Sequence, residues 1–393
     1  MMSRASDRAR GSHDRPRAVV IMHSVLNLKC FWVPILEAMS REFDVTLYIR
    51  NDMPEVLDRL SLPCRVEFMP IHRQIAPLRD LQAIFAIWRQ LRRDRPQLLQ
   101  TITPKAGLVG MIAAWLARVP IRIHTYQGEV WCLSTGPKRK LLKAMDWLVG
   151  RLASDILAVS QTELEFLRRE GVLGKDRGRV LGSGSISGVD LVQFDRSIAP
   201  DQALREALGL GGDEFVFVFI GRLQRDKGLH VLAKAYASVI RTVSRPTKLI
   251  VVGEDEQDLG AMMRARLGDK VAVEPFSDRP QDYLRLADAV VLPSFREGFG
   301  SVLIEGAAMG VPAVASRIYG VDCAVKDGET GLLFEAGDPA ALAEAMTTLV
   351  EQPDLRRRLG DAALARVQSD FDQRKVIANL VAYYRRQLGD RKV

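Results

Sequence analysis

Short runs rich in strand-forming residues alternate with longer segments of helical periodicity along almost the whole chain. Runs such as Arg17–His23, Leu98–Ile102 and Ile121–Tyr126 predict strands, and Lys105–Ala117 is one of the helical segments between them. Such an alternation places each strand parallel to the last, and the helices cover the sheet in right-handed βαβ units. The sequence therefore predicts an α/β fold.

The second half of the chain repeats this scheme. Its strands are predicted at Phe215–Ile220, Leu249–Val252, Val271–Glu274, Val290–Pro293, Pro312–Ala315 and Gly331–Phe334. A glycine- and serine-rich segment, Gly182–Gly188, separates the halves and is the predicted hinge. With 393 residues the chain is long enough for two domains, each with its own core.

Composition describes a globular chain with a basic balance. The net charge of +8 favours an anionic partner without choosing among nucleotide, nucleic acid and membrane. The first 16 residues are polar and arginine-rich and lack the apolar stretch of a secretory signal, which predicts a flexible tail. Four scattered cysteines predict reduced thiols in a cytoplasmic protein.

Two glutamates, Glu297 and Glu305, flank a glycine-rich turn between a predicted strand and a helix that ends near Met309. A strand, a turn and a helix N-terminus form an anion site, because backbone N–H groups and the helix dipole point at one spot. Carboxylates beside such a site accept hydrogen bonds from sugar or ribose hydroxyls, which favours a nucleotide sugar. The simpler alternative is two acids that interact with the helix dipole.

Two cations follow the predicted strand Phe215–Ile220. Arg222 and Lys227 are expected at its carboxyl end, where doubly wound sheets bind their ligands. Arg222 would contact a diphosphate with its forked guanidinium, and Lys227 would supply a point charge. The alternative is a pair of solvated surface cations.

Together, three segments resemble the retaining glycosyltransferases of family 4, which have the GT-B fold of two facing Rossmann-like domains. Glu297 to Glu305 is similar to the paired-glutamate motif, and Gly221 to Gly228 to the pattern G-R-x-x-x-x-K-G. Ser187-Gly188-Val189-Asp190 with Phe194 is similar to N-G-V-D-x-x-x-F, with serine in place of asparagine. The resemblance extends from about residue 17 and implies an acceptor domain at 17–188, a donor-nucleotide domain at 189–370 and a C-terminal helix, 371–393, that packs back on the first domain.

The resemblance also implies roles on the donor side. Glu305 would bind the ribose, whereas Glu297 would face the donor sugar and act as a catalytic residue with Arg222 and Lys227. Further sugar and diphosphate contacts would come from the turn and helix start, namely Gly298, Phe299, Gly300 and Ser301. Phe276 follows a strand where the family holds the nucleobase; uridine is the commoner base, and guanosine stays open.

On the acceptor side the chain departs from the family. The segment from His124 to Trp131 occupies the place of a T-x-H-G motif, and Gln127 stands where the histidine would be. Gln127 and Glu129 are predicted to bind the transferring sugar or the acceptor, while His124 is either a core histidine or a direct contact. Asn27 and Lys29 in the first loop are further acceptor candidates. This variant resembles a subgroup that assembles lipid-linked glycans, O-antigens or capsules.

The predicted function is retaining transfer of a hexose from a nucleotide sugar, a UDP-sugar by preference, to a glycan or lipid-linked acceptor. No D-x-D pair follows a strand, so neither a metal ion nor another cofactor is expected, and no nucleic-acid motif is present. Two alternatives remain: a nucleotide-sugar epimerase of the same fold, and a non-catalytic basic protein that binds nucleic acid or anionic lipid.

A membrane contact at the inner face is also predicted from two helical segments. In Lys138–Leu152 one face is expected in the core (Leu141, Met145, Leu148 and Leu152), and the residues expected outside are Arg139, Lys140, Lys143, Trp147 and Arg151. In Leu78–Arg93 the expected core face is Leu81, Ile84, Phe85 and Trp88, opposite Arg79, Arg89 and Arg93. An outward tryptophan among cations is typical of an anionic interface, and a solvated charged face is the alternative.

Overall fold

A computed structural model describes residues 15–72 and 74–390. The chain divides into two compact units. The first contains the described residues up to Gly182 and those from Val376 onward, and the second is Ser183–Lys375. The division falls at the start of the predicted hinge, whereas the predicted tail lies outside the described residues except for Arg15 and Pro16.

The first unit is built on a parallel sheet of six strands. In chain order these are β1 Arg17–Met22, β2 Asp44–Ile49, β3 Arg65–Phe68, β4 Leu98–Ile102, β5 Ile121–Tyr126 and β6 Asp155–Ala158. All neighbours pair in parallel in the order β3-β2-β1-β4-β5-β6. The central strands are buried along nearly their whole length, which explains why they are rich in apolar residues; Gln100 and Thr101 of β4 are buried polar exceptions.

In the described part of the first unit, seven α-helices precede the hinge: α1 Val25–Asn27, α2 Val33–Ser40, α3 Pro54–Leu57, α4 Pro77–Asp94, α5 Pro104–Leu116, α6 Gly136–Leu152 and α7 Gln161–Arg169. A π-helical turn, Leu28–Trp32, joins α1 to α2. Helix α5 packs between α4 and α6, since it contacts both. Apart from Lys105 it is apolar all round, as expected of a helix covered by the sheet and two neighbours.

The second unit repeats this topology. Its strands are β7 Phe215–Ile220, β8 Thr247–Val252, β9 Val271–Glu274, β10 Ala289–Leu292, β11 Ala313–Ser316 and β12 Gly331–Phe334. They form a parallel sheet in the order β12-β11-β10-β7-β8-β9, which is the strand order of the first sheet counted from β7. The α/β prediction is confirmed, with a doubly wound parallel sheet in each unit.

The remaining helices follow in chain order: α8 Gln202–Ala207, α9 Leu229–Thr242, α10 Leu259–Leu267, α11 Pro280–Leu284, α12 Ser301–Ala308, α13 Val321–Ala324, α14 Pro339–Glu351, α15 Pro353–Arg366 and α16 Gln373–Gly389. From Val376 onward α16 belongs to the first unit. Tyr383 and Tyr384 are buried in the same core as Trp32 and Ile35 of the first unit. The Tyr384 hydroxyl donates to Gln100 of β4 at 3.1 Å.

Sequence periodicity gave the wrong buried face for two helices. In α4 the buried residues are Ala83, Ile87 and Leu91, while Leu81 and Phe85, predicted to be core, are exposed. Helix α4 packs against α5, and Leu81 and Phe85 lie on the face turned away from the core. In α6 the predicted core residue Leu141 is exposed, and Val149 and Gly150 are buried instead.

Strand β3 was not predicted, because it lies at the edge of its sheet and its four residues are exposed or only half-buried. Such a strand carries no apolar run. Among the helices of residues 15–72 and 74–390, none is both long and apolar enough to cross a membrane.

Candidate functional site

The second sheet changes winding direction between β7 and β10. These strands are neighbours, and the chain continues from β7 to β8 on one side and from β10 to β11 on the other. Loops that leave the carboxyl ends of two such strands diverge and open a crevice, where doubly wound folds bind ligands. Strand β7 ends at Ile220 and β10 at Leu292, so the segments with Lys227 and Glu297 both begin at this crevice.

The structure brings Lys227 and Glu297 into direct contact. Lys227 Nζ donates to Glu297 Oε1 at 2.6 Å, and the Ser294 hydroxyl donates to the same oxygen at 2.8 Å. The lysine and glutamate side chains are only 14% and 13% exposed. An ion pair in this partly desolvated position is less screened by water than a surface pair. Two of the three predicted catalytic residues therefore form one polar cluster.

A second ion pair lies beside this contact and joins two residues that were not among the predicted site residues. Arg296 Nη2 donates to Asp226 Oδ2 at 2.8 Å, and the Phe295 backbone N–H donates to the Asp226 carbonyl, also at 2.8 Å. Gly228 has φ +73°, and a Cβ there would overlap the Pro293 carbonyl. Each bridge residue is the chain neighbour of a predicted site residue. The turn after β7 is therefore fixed against the segment after β10.

Arg222 takes a different partner. Its Nη1 lies 3.5 Å from Glu256 Oε1, and Gln224 donates a hydrogen bond to the other oxygen of that carboxylate. Glu256 belongs to the loop after β8, which the sequence did not predict to contain a site residue. The structure thus holds Arg222 by the next strand's loop and does not join it to the Lys227–Glu297 pair.

Helix α12 begins directly after the glycine turn. Its N-cap residue is Gly300, which has no side chain to cap the helix, and Ser301 is its first residue. Glu305 lies one turn further along and keeps part of its surface exposed, yet burial raises the pKa of its carboxyl to about 7. This carboxyl changes charge near neutral pH, close to a helix N-terminus that favours negative charge.

The side chains of the turn have separate environments. Phe299 is buried and packs edge-on against Phe371 at a ring distance of 5.3 Å, which leaves its backbone as the part open to a ligand. A Cβ at Gly320 would lie 2.5 Å from the Gly298 carbonyl, so this unpredicted glycine allows the chain to pass close to the turn. Phe276, in contrast, is exposed in the loop after β9.

In the first unit the corresponding crevice lies between β1 and β4. His23 Nδ1, just past β1, is 2.7 Å from Thr103 Oγ1, just past β4. Next to Thr103, the buried Lys105 donates to Asp80 of α4 at 2.6 Å. None of these four residues was predicted. A cation directly after the proline that starts a helix at a strand's carboxyl end was the available signal for Lys105.

The predicted acceptor residues of the first loop lie at the same edge. Asn27 ends α1 and Lys29 belongs to the π-helical turn, a feature that often occurs at functional sites. The Asn27 Oδ1 atom is buried and has no hydrogen-bond partner in the described part of the chain. Lys29 is half-buried.

The loop after β5 is held by the buried carboxylate of Glu163. The Gly128 N–H donates to the Glu163 carboxylate, which also accepts the Val159 N–H at 3.0 Å. Glu129 is buried, whereas Gln127 is half-buried, and its Nε2 atom has no hydrogen-bond partner within residues 15–72 and 74–390. Of the two predicted residues, Gln127 is therefore the one with surface available to a ligand.

Trp131 anchors the far end of this loop. Its indole N–H donates to Asp146 at 2.6 Å, and its ring stacks on Phe166 at 5.3 Å. Arg139 and Lys143 lie over the ring at 5.3 and 5.8 Å, and both donate to Glu170. Burial raises the pKa of Asp146 to about 7, against the weaker effect of the indole hydrogen bond.

His124 is a core histidine. It is buried on β5, with Nδ1 2.8 Å from Thr101 Oγ1, and its ring meets Tyr126 edge-on at 4.6 Å. A Cβ at Gly107 of α5 would lie 2.5 Å from the imidazole, so the helix covers the ring closely. Burial lowers the pKa of His124 to about 3, which keeps it neutral. We leave His124 out of the proposed acceptor site.

Comparison with known families matches both units. Residues 200–366 match the family described as "Glycosyl transferases group 1", and residues 34–184 match the "Glycosyl transferase 4-like domain". The two matches follow the division of the chain into two units and together cover most of both sheets.

Two curated relatives align over most of the chain. A capsular polysaccharide biosynthesis glycosyltransferase, CapM of Staphylococcus aureus, is 31% identical over 324 residues, which cover 80% of this chain and 83% of that protein. An Escherichia coli enzyme described as UDP-Gal:alpha-D-GlcNAc-diphosphoundecaprenol alpha-1,3-galactosyltransferase is 26% identical over 322 residues, or 79% and 81% of the two chains.

A solved structure shares the fold at lower identity. Anabaena HepE in complex with UDP and glucose has a TM-score of 0.78 and 20% identity, over 94% of this chain and 99% of that one.

Proposed function

The chain belongs to the group 1 glycosyltransferases, and on that premise we propose that it is a retaining enzyme that transfers a hexose from a UDP-sugar to a lipid-linked glycan. The observation that carries the proposal is the contact of Lys227 with Glu297 at the crevice between β7 and β10. It pairs a cation suited to a diphosphate with a carboxylate suited to sugar hydroxyls. The UDP-galactose and undecaprenol diphosphate in the name of the Escherichia coli relative support the substrate classes.

The donor binds to the second unit in this proposal. Glu305 accepts hydrogen bonds from the ribose hydroxyls, and Phe276 offers an exposed ring beside the base. The diphosphate lies at the N-terminus of α12, where the backbone N–H groups of Phe299, Gly300 and Ser301 and the helix dipole favour negative charge. The sugar then lies toward Glu297 and the backbone of Gly298.

Catalysis follows from charge that develops during transfer. As the bond to the diphosphate breaks, negative charge grows on the leaving group, and Lys227 and Arg222 stabilise it. Arg222 exchanges its weak contact with Glu256 for the diphosphate. Glu297 stabilises the positive charge at the anomeric carbon, and two cations with a helix N-terminus replace a metal ion.

The acceptor binds to the first unit. Gln127 lies at the carboxyl end of β5, and its Nε2 atom has no hydrogen-bond partner in the described part of the chain. Asn27 and Lys29 lie past β1 at the same edge of the sheet. Glu129 is proposed to act through the loop backbone, since its side chain is buried. We place the reaction in the cytoplasm at the inner face of the membrane, where a lipid-linked acceptor is accessible.

The test is transfer from UDP-hexoses to a short-chain lipid diphosphate sugar, with and without a chelator. Nuclear magnetic resonance of the product should show the anomeric configuration of the donor, and chelation should leave the rate unchanged. Inversion of configuration would contradict the mechanism. A free epimerised UDP-sugar formed without acceptor would instead favour the epimerase.

A further inference from the structure

The outward face of α4 carries a row of large apolar side chains. Leu78, Leu81 and Phe85 are 78%, 62% and 61% exposed, while the buried side of the helix is Ala83, Ile87 and Leu91. At 3.6 residues per turn, the three exposed residues fall on one stripe. Single exposed apolar residues are ordinary in proteins, but three in one helical row form a patch, which marks an interaction surface.

The same stripe becomes basic in the second half of the helix. Arg89 and Arg92 continue the row beyond Phe85, and Arg93 is exposed beside them. The two acids of α4 are engaged inside the unit, because Asp80 pairs with Lys105, and Asp94 with Arg65 at 2.7 Å. The outward charge of the helix is therefore positive. An apolar segment followed by arginines complements an anionic bilayer, which offers acyl chains below a layer of negative headgroups.

The apolar end of the stripe lies at the acceptor edge of the first unit. Asp80, in the first turn of α4, bonds to Lys105, which follows the carboxyl end of β4. Gln127 follows the carboxyl end of the neighbouring strand β5. If the stripe enters the bilayer, the acceptor edge beside it lies close to a sugar whose lipid tail stays in the membrane.

Helix α6 is less suited to this contact, although the sequence favoured it. Leu141 and Trp147 are 52% and 45% exposed, but Lys143 and Arg139 both donate to Glu170 and cover Trp131. Two of the cations that the sequence placed on the outer face are therefore engaged within the unit, while Lys140 stays exposed.

We propose that α4 docks the first unit on an anionic membrane, with Leu78, Leu81 and Phe85 among the acyl chains and Arg89 and Arg92 at the headgroups. This inference rests on the proposed function in one respect: membrane docking would bring the acceptor edge of the first unit to a lipid-linked substrate. Binding to lipid needs no donor and no acceptor, so the two proposals can fail separately.

The experiment is co-sedimentation of the full chain with vesicles of phosphatidylcholine alone or of equimolar phosphatidylcholine and phosphatidylglycerol. Three variants are compared with wild type: Leu78→Gln with Leu81→Gln and Phe85→Gln, Arg89→Gln with Arg92→Gln, and, as the matched control on α6, Leu141→Gln with Trp147→Gln. Glutamine keeps good helix propensity at exposed positions, and thermal melting checks the fold. If the triple variant melts early, Phe85→Gln alone replaces it.

The apolar variant should lose about tenfold or more of its vesicle partitioning. The arginine variant should lose several-fold on anionic vesicles only, and the α6 control should bind like wild type. Transfer to a water-soluble acceptor should stay unchanged in all three. Equal binding of the apolar variant and wild type would overturn the proposal, and so would equal binding of wild type to both vesicle types. Conversion of a wild-type dimer to a monomer by the apolar variant, in sedimentation velocity, would assign the stripe to a second copy instead.

Discussion

The two units share a strand order but use the carboxyl edges of their sheets differently. In the second unit, side chains from two loops meet at the edge, where Lys227 contacts Glu297 and Asp226 contacts Arg296. In the first unit, His23 also contacts Thr103 at the edge, but two acids beside the loop after β5 are buried: Glu163 accepts the Gly128 N–H and Asp146 accepts the Trp131 indole N–H. One topology thus gives one edge that presents charge and another that uses charge to hold a loop.

This difference predicts where substitutions act. Charged residues at the edge of the second unit should control ligand binding and rate with little effect on stability, because their charge matters most to a bound diphosphate. Buried acids of the first unit should control stability, because an ionised carboxylate away from water is costly unless it is paired.

Lys227→Met should produce the largest effect. Loss of one preorganised cation at the leaving group lowers kcat by about 10²–10³-fold. The measurement is steady-state transfer at saturating donor, with thermal melting as a check on the fold. Arg225→Gln is the matched control, since Arg225 is an exposed cation in the same turn. Near-normal turnover in Lys227→Met would show that the Lys227–Glu297 contact is a structural ion pair without a role in catalysis.

Asp146→Asn tests the first unit. The pKa of Asp146 is raised from 3.8 to about 7, so the folded chain binds a proton that the unfolded chain releases. Its contribution to stability is full below about pH 4 and is lost as pH rises toward 7. Between pH 5 and pH 8, the free energy of unfolding of the variant should therefore gain about 2 kcal/mol relative to wild type.

Urea unfolding at both pH values measures this change, and Glu165→Gln, an exposed acid on α7, is the control. Transfer by Asp146→Asn should stay within a few-fold of wild type, because the aspartate supports the loop and does not contact substrate. A large loss of kcat with unchanged stability would show that the two edges work alike.

Glu305→Gln should weaken UDP binding by about tenfold or more, because hydrogen bonds to a charged acceptor contribute roughly 1.5–3 kcal/mol. The raised pKa, about 7, adds a second signature. Wild-type affinity should fall as pH drops below 7 and the carboxylate takes a proton, and the variant should lack this component. Calorimetry at pH 6 and pH 8 separates it from titration of the diphosphate, which both proteins share. Glu351→Gln, an exposed acid at the end of α14, should match wild type.

The smallest expected effect concerns the bridge between Asp226 and Arg296. A double-mutant cycle with Asp226→Ala and Arg296→Ala should give a coupling energy of about 1 kcal/mol in kcat/KM. The double variant should be hardly slower than either single variant, because each substitution alone already breaks the same side-chain bridge. Strictly additive effects would mean that the bridge does not position Lys227.

The sequence predicted those parts of the fold that depend on local pattern. Buried parallel strands such as Phe215–Ile220 and Leu98–Ile102 have their predicted bounds, because each is a short run rich in apolar residues. The faces of α4 and α6 depend on which helix lies beside them. Periodicity marks a stripe of large residues, but in α4 the buried face is Ala83, Ile87 and Leu91, and α5 is the helix that packs beside it.

The same limit applies to the site. Lys227 and Glu297 were assigned to one site, because each belongs to a motif with its own signal after a strand. Asp226 and Arg296 stand 70 positions apart, and their pairing depends on β7 and β10 being neighbours, which no local pattern contains. Arg222 was expected beside the other cation, but the loop after β8 supplies Glu256 as its partner.

The placement of α16 has a consequence for how the protein folds during translation. The first unit takes Ile377, Leu380, Val381, Tyr383 and Tyr384 into its core, although all of Ser183–Lys375 is translated in between. During translation, the part of the first unit's core that α16 covers therefore stays exposed while the second unit emerges and folds. The second unit can therefore fold before the first is complete, and α16, which is translated after it, then completes the core of the first unit.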